Sequence, residues 1–144
     1  MIEGVELIPL KQISVPQGDV YHALKSTDKG YSGFGEVYFS QIKSGEVKGW
    51  KRHNRMPLNI VVPVGAIKFV IYDDRPDSPS KGEFFEVCLS PDSNYQRLFV
   101  APGLWMAFKG MGSTVSMLAD IIPEPHDPLE ADKKELNEIN YCFD

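Results

Sequence analysis

The sequence predicts an all-β domain of sandwich or jelly-roll type, closing on a short C-terminal helix. Apolar residues come in short runs broken by Gly, Pro, Asp and Ser, with no long stretch of helical period. Turn signals recur at roughly the 8 to 12 residue spacing of antiparallel β proteins, and 12 Gly and 11 Pro in 144 residues supply them. The length fits one domain, residues 1–144, with no internal repeat or low-complexity segment.

Taken in order, the candidate strands are Val5 to Leu10, Glu36 to Ile42, Val47 to His53, Leu58 to Val62, Ala66 to Tyr72, Glu83 to Leu89, Gln96 to Val100, Leu104 to Lys109 and Thr114 to Ile121. Ser44-Gly45, Pro63-Val64-Gly65, the run Arg75 to Gly82, Ser90-Pro91-Asp92-Ser93 and Pro102-Gly103 mark the turns between them. Pro128 to Leu136 reads as the helix, because Pro occupies an opening turn and Leu129, Glu130, Ala131, Lys133, Lys134, Glu135 and Leu136 follow as good helix formers.

Composition narrows the function. The net charge of −5 argues against general nucleic-acid binding. No apolar run reaches the ~20 residues of a membrane-spanning helix, and the N-terminus lacks a signal-peptide pattern, so a cytoplasmic protein with no membrane partner is expected. Cys88 and Cys142 lack the number and spacing for a disulfide framework or a zinc site and read as structural. His22, His53 and His126 are scattered, so no metal and no cofactor is expected. No phosphate-binding glycine loop and no Gly-x-Ser-x-Gly elbow is present. Charge is uneven: Lys43, Lys48, Lys51, Arg52 and Arg55 cluster around Trp50 and His53, whereas the chain beyond Asp120 is acidic.

Four landmarks follow one another in order. They are Ser44-Gly45-Glu46-Val47-Lys48-Gly49-Trp50-Lys51-Arg52-His53, then Pro63-Val64-Gly65, then Tyr72-Asp73-Asp74-Arg75 with Ser78-Pro79, and finally Ala101-Pro102-Gly103-Leu104-Trp105-Met106-Ala107-Phe108. Over roughly residues 36–130 this pattern resembles the dTDP-4-dehydrorhamnose 3,5-epimerase family, cupin jelly rolls acting on nucleotide-linked 4-keto-6-deoxy sugars. The resemblance implies a cupin-type barrel, a nucleotide-linked sugar as partner and a homodimer, with the edge strand Val5 to Leu10 free to pair with a second subunit. The family's site residues are replaced: its basic His falls at Lys51, its enolate-stabilising Lys near Leu58, a further His at Met106, and its acid Tyr among Val115 to Leu118. Its Arg becomes Lys48.

Epimerisation beside a ketone needs a base for the acidic proton, a group to hold the enolate and an acid on the opposite face. On an extended strand Lys51, His53 and Arg55 share one face, which makes Lys51 and His53 the candidate catalytic pair pointing into the barrel. Lys48, Arg55, Asn59, Tyr72, Arg75, Trp105 and Met106 are candidate substrate contacts. Asn59 interrupts an apolar strand and would line the cavity; Tyr72 either supplies a phenolic acid or ends a strand. Trp105 and Trp50 either stack on a base or sugar or fill the core, and Arg75 either anchors a phosphate or pairs with its neighbouring acids. His126 reads as loop. The function expected is a sugar-nucleotide epimerase or isomerase, and the alternative is a non-catalytic carbohydrate-binding or regulatory cupin.

Overall fold

The computed structural model describes every residue from Met1 to Asp144. Two five-stranded antiparallel sheets make the body of the molecule. The first runs in the order β1 (Val5–Pro9), β9 (Gln96–Val100), β6 (Leu58–Val64), β11 (Ser116–Ile122), β4 (Glu36–Ile42). The second runs β12 (Ala131–Lys133), β5 (Val47–His53), β10 (Trp105–Gly110), β7 (Ile67–Tyr72), β8 (Phe84–Leu89). A two-stranded hairpin, β2 (Gln12–Ile13) with β3 (Val20–Tyr21), precedes β4. From β4 to β12 sequential strands alternate between the sheets, apart from the β7–β8 hairpin, which is the jelly-roll solution to burying two apolar faces without long open edges. No helix is long and apolar enough to cross a membrane.

Alternation along each strand sets what faces inward. Ile60, Val62, Leu98, Val100, Leu118 and Ile122 from the first sheet meet Ile67, Phe69, Ile71 and Leu89 from the second, each 4% exposed or less. A second apolar cluster lies on the outer face of the second sheet, where Trp50, Val70, Trp105 and Ala107 are covered by Ile139, Tyr141 and Phe143 of the C-terminal segment. Trp105 therefore serves packing: its Nε1 donates to Asp74 Oδ2 at 3.0 Å and its ring lies beneath Arg52.

The C-terminal segment departs from the expected helix. Pro128–Glu130 forms one 3-10 turn, Ala131–Lys133 pairs as edge strand β12 with β5, and Leu136–Glu138 forms a second 3-10 turn. Local helix preference of a few tenths of a kcal/mol per residue is outweighed by ladder pairing and by burial of Glu130. Both cysteines lie exposed and unbridged.

Of the two readings of Arg75, the structure shows the pairing with a neighbouring acid, and it turns Asn59 away from the cavity. Fully buried Asp73 accepts from Arg75 Nε and NH2, each at 2.9 Å, and from Ser80 Oγ at 2.6 Å. Burial alone would raise the Asp73 carboxyl, yet these donors hold it well below the usual carboxylate range. Arg75 is thus spent on fixing the loop after β7. Asn59 points to the outer face of β6, donating to Gly30 O at 3.1 Å and accepting from the guanidinium of buried Arg97.

Candidate active site

A bulge in β5 shapes the site. Met106 pairs with Lys51 and Phe108 with Lys48, so two steps along β10 match three along β5. The extra residue puts Lys48 on the same face as Lys51 and His53 although its odd spacing from both would place it opposite. Gly49 makes the close approach possible: its φ is +149°, and a Cβ there would lie 2.5 Å from Ala107 Cβ.

Between the sheets these side chains border a cavity of about 520 Å³. Lys48, Lys51 and His53 of β5, Met106 and Phe108 of β10 and Lys133 of β12 form one wall. Tyr38 and Ser40 of β4, Leu58 and Ile60 of β6, and Leu118 and Asp120 of β11 form the other. Lys134, Glu135 and Glu138 rim it from the C-terminal segment. No group of three or more His, Cys, Asp or Glu side chains is arranged so that it could hold a metal ion.

His53 is held by Glu130. Its Nδ1 lies 2.7 Å from Glu130 Oε1, while Glu130 Oε2 accepts the backbone N–H of Arg55 at 2.6 Å and of Met56 at 2.9 Å. Burial would raise Glu130, but those backbone and imidazole donors hold it below its ordinary value, so it is an anion that can only accept. The proton accordingly sits on Nδ1, and Nε2 is the lone-pair nitrogen left to the cavity. Burial also lowers the His53 pKa, outweighing the pull of Glu130, which keeps the ring neutral at pH 7.

Lys51 makes no side-chain hydrogen bond or ion pair, and burial, with Lys133 nearby, lowers its pKa. Lys48 Nζ is tied to Gln41 O at 2.6 Å. On the facing wall the Tyr38 hydroxyl donates to Asp120 Oδ2 at 2.9 Å. Asp120 is buried and its Oδ1 has no partner; desolvation pushes its pKa up to about 7.

The expected site residues thus divide. Lys48, Lys51, His53 and Met106 meet in the cavity. Arg55 does not, because β5 ends at His53 and the following turn sends Arg55 to the surface, where it pairs with Glu124 at 2.9 Å. Tyr72 packs its ring 4.5 Å from Phe84 on the outer face. Asn59, Arg75 and Trp105 lie elsewhere, as described above. Trp50 borders the cavity but packs against Tyr141 and Phe143. His126 stays in a loop, its backbone N–H on Glu36. Tyr38, Asp120, Glu130 and Lys133 were not anticipated, though Asp120, a carboxylate inside the apolar run Ser116–Ile122, was a visible signal.

An antiparallel jelly roll enclosing a cavity with a histidine–carboxylate pair, free lysine and buried acid defines a cupin-type barrel equipped for proton transfer. The chain belongs to the family of dTDP-sugar epimerases and isomerases. It is 36% identical to a solved dTDP sugar isomerase from Desulfovibrio desulfuricans G20, covering 98% of this chain and 91% of that one with a TM-score of 0.94. A probable low-salt glycan biosynthesis epimerase, Agl13 of Haloferax volcanii, is 28% identical over 137 residues, 94% of this chain and 87% of that protein. The fold is shared further with the dTDP-4-dehydrorhamnose 3,5-epimerase of Bacillus anthracis, at 20% identity and a TM-score of 0.81 over 92% of this chain and 79% of that one. No protein-family model matches the chain.

Proposed function

We propose that this protein epimerises or isomerises a dTDP-linked 4-keto-6-deoxyhexose. The observation that carries the reading is the neutral imidazole of His53, fixed by Glu130 and open at Nε2 to a cavity of about 520 Å³. His53 Nε2 removes a proton from the carbon beside the ketone. Lys51, an unpaired amine beside it, donates a charge-assisted hydrogen bond to the ketone oxygen and so also holds the negative charge that develops there. Lys48, Lys133 and Lys134 gather positive charge around the cavity, where a diphosphate needs it. Aldehydic or ketonic sugars lacking the diphosphate would forgo that attraction. A nucleoside diphosphate carries too much charge to cross a bilayer unaided, which supports a cytoplasmic setting.

Binding of dTDP-4-keto-6-deoxyglucose measured by calorimetry tests the reading. Wild type binds, and Lys51→Met weakens binding about 10- to 100-fold, the worth of one charge-assisted hydrogen bond, with a shallower dependence on salt. No binding by the wild type contradicts it.

We further propose that the protein works as a homodimer. β1 is an edge strand with β9 on one side and no ladder partner on the other, and Val37 and Phe39 leave apolar surface open on the opposite edge strand, β4. Light scattering is expected to give twice the 16.2 kDa chain mass at micromolar concentration, and a monomer there contradicts the proposal.

A further inference from the structure

The cavity holds a second proton-carrying group that the His53 pair does not use. Tyr38 and Asp120 stand on the first sheet, His53 and Lys51 on the second, so a sugar ring between the sheets has His53 against one face and Asp120 against the other. Tyr38 occupies only Oδ2 of the carboxyl. Asp120 is among the residues that line the cavity, and its Oδ1 is buried with no partner in the protein, which is costly for an anion and natural for a carboxylic O–H waiting for a ligand.

We propose that Asp120, oriented by Tyr38, is the catalytic acid on the face opposite His53 and makes the reaction an inversion. This rests on the epimerase reading above. His53 Nε2 takes the C–H proton, the electron pair passes into the enolate, and Asp120 Oδ1–H delivers its proton to the same carbon from the other side. The product is the inverted centre with His53 protonated and Asp120 ionised, and water returns one proton from the imidazolium to the carboxylate. Tyr38 touches no substrate atom in this scheme and is a positioning residue. Its own hydroxyl is pushed far above the ordinary tyrosine range by burial and by Asp120, which makes it a poor acid itself.

The groups facing Asp120 are few. Tyr38, with Glu36 beyond it, comes from β4, no titratable side chain comes from β6, and Lys51 and His53 come from across the cavity. Burial raises the carboxyl to about 7, with the Tyr38 hydrogen bond and the Lys51 charge opposing. The acid form is needed, so epimer formation falls as pH rises through that value and falls again on the acid side as His53 protonates.

The test separates two steps with dTDP-4-keto-6-deoxyglucose in deuterated water. Asp120→Asn keeps shape and the Tyr38 contact, so proton removal by His53 continues and deuterium enters with retention, while the epimer forms about 10² to 10⁴ times more slowly. Epimer formation within threefold of wild type, or exchange and inversion lost together, overturns the proposal. Tyr38→Phe gives a second reading that does not need the Asn variant to fold: without the hydroxyl the carboxylate loses support and the alkaline limb moves up. An unmoved limb overturns the proposal. A wild type without any exchange instead overturns the epimerase reading itself.

Discussion

His53→Asn is expected to slow solvent exchange of the substrate proton by a factor on the order of 10² to 10⁴ while leaving affinity for the nucleotide sugar largely intact. Asn is close to His in size, and its amide N–H can still donate to Glu130, replacing the 2.7 Å contact that Nδ1 makes now. What it lacks is a nitrogen that can accept a proton near neutral pH. In this account the Nε2 lone pair does nothing to hold the ground-state ligand, so the loss falls on kcat and not on binding. Exchange by NMR and binding by calorimetry measure the two separately. Exchange within threefold of wild type would remove His53 from the reaction.

Glu130→Gln is expected to cost nearly as much by a different route. As an anion Glu130 can only accept, which fixes the imidazole proton on Nδ1 and leaves Nε2 basic. The Gln oxygen can still take the backbone N–H groups of Arg55 and Met56, which turns its NH2 toward His53. Nδ1 then accepts, the ring proton moves to Nε2, and the base is blocked. The same tautomer error in a serine-protease triad lowers kcat about 10⁴-fold, so a fall of about 10² to 10⁴ in exchange is the scale here. Stability should drop by about 1–3 kcal/mol, the loss of one charged hydrogen bond, and the fold should survive. A melting curve and an exchange rate together check this, and a fully active, equally stable Gln variant contradicts the role.

The fold was legible where turn residues bracket the strands. Glu36–Ile42, Val47–His53 and Gln96–Val100 fall where turn residues and alternation put them, and the same alternation brought Lys51 and His53 together in the cavity. It misled in β6. β6 is apolar along nearly its whole length because Gly30 and its neighbours lie over its outer face, so Asn59 carried no sign of which way it points. Arg55 was placed in the barrel by extending a strand that ends two residues earlier. Glu130 was hidden for a deeper reason. Its segment has helix-forming composition, and only pairing with β5, distant in sequence, turns it into the anchor of His53. Lys48 reached the cavity through a bulge that alternation alone cannot foresee.

Proton NMR of the wild-type protein with dTDP-4-keto-6-deoxyglucose in deuterated water tests the central claim most directly. The account predicts that the signal of a proton on a carbon next to the ketone disappears with turnover, and that His53→Asn stops the loss. Tight binding of the nucleotide sugar with every such proton retained would contradict it.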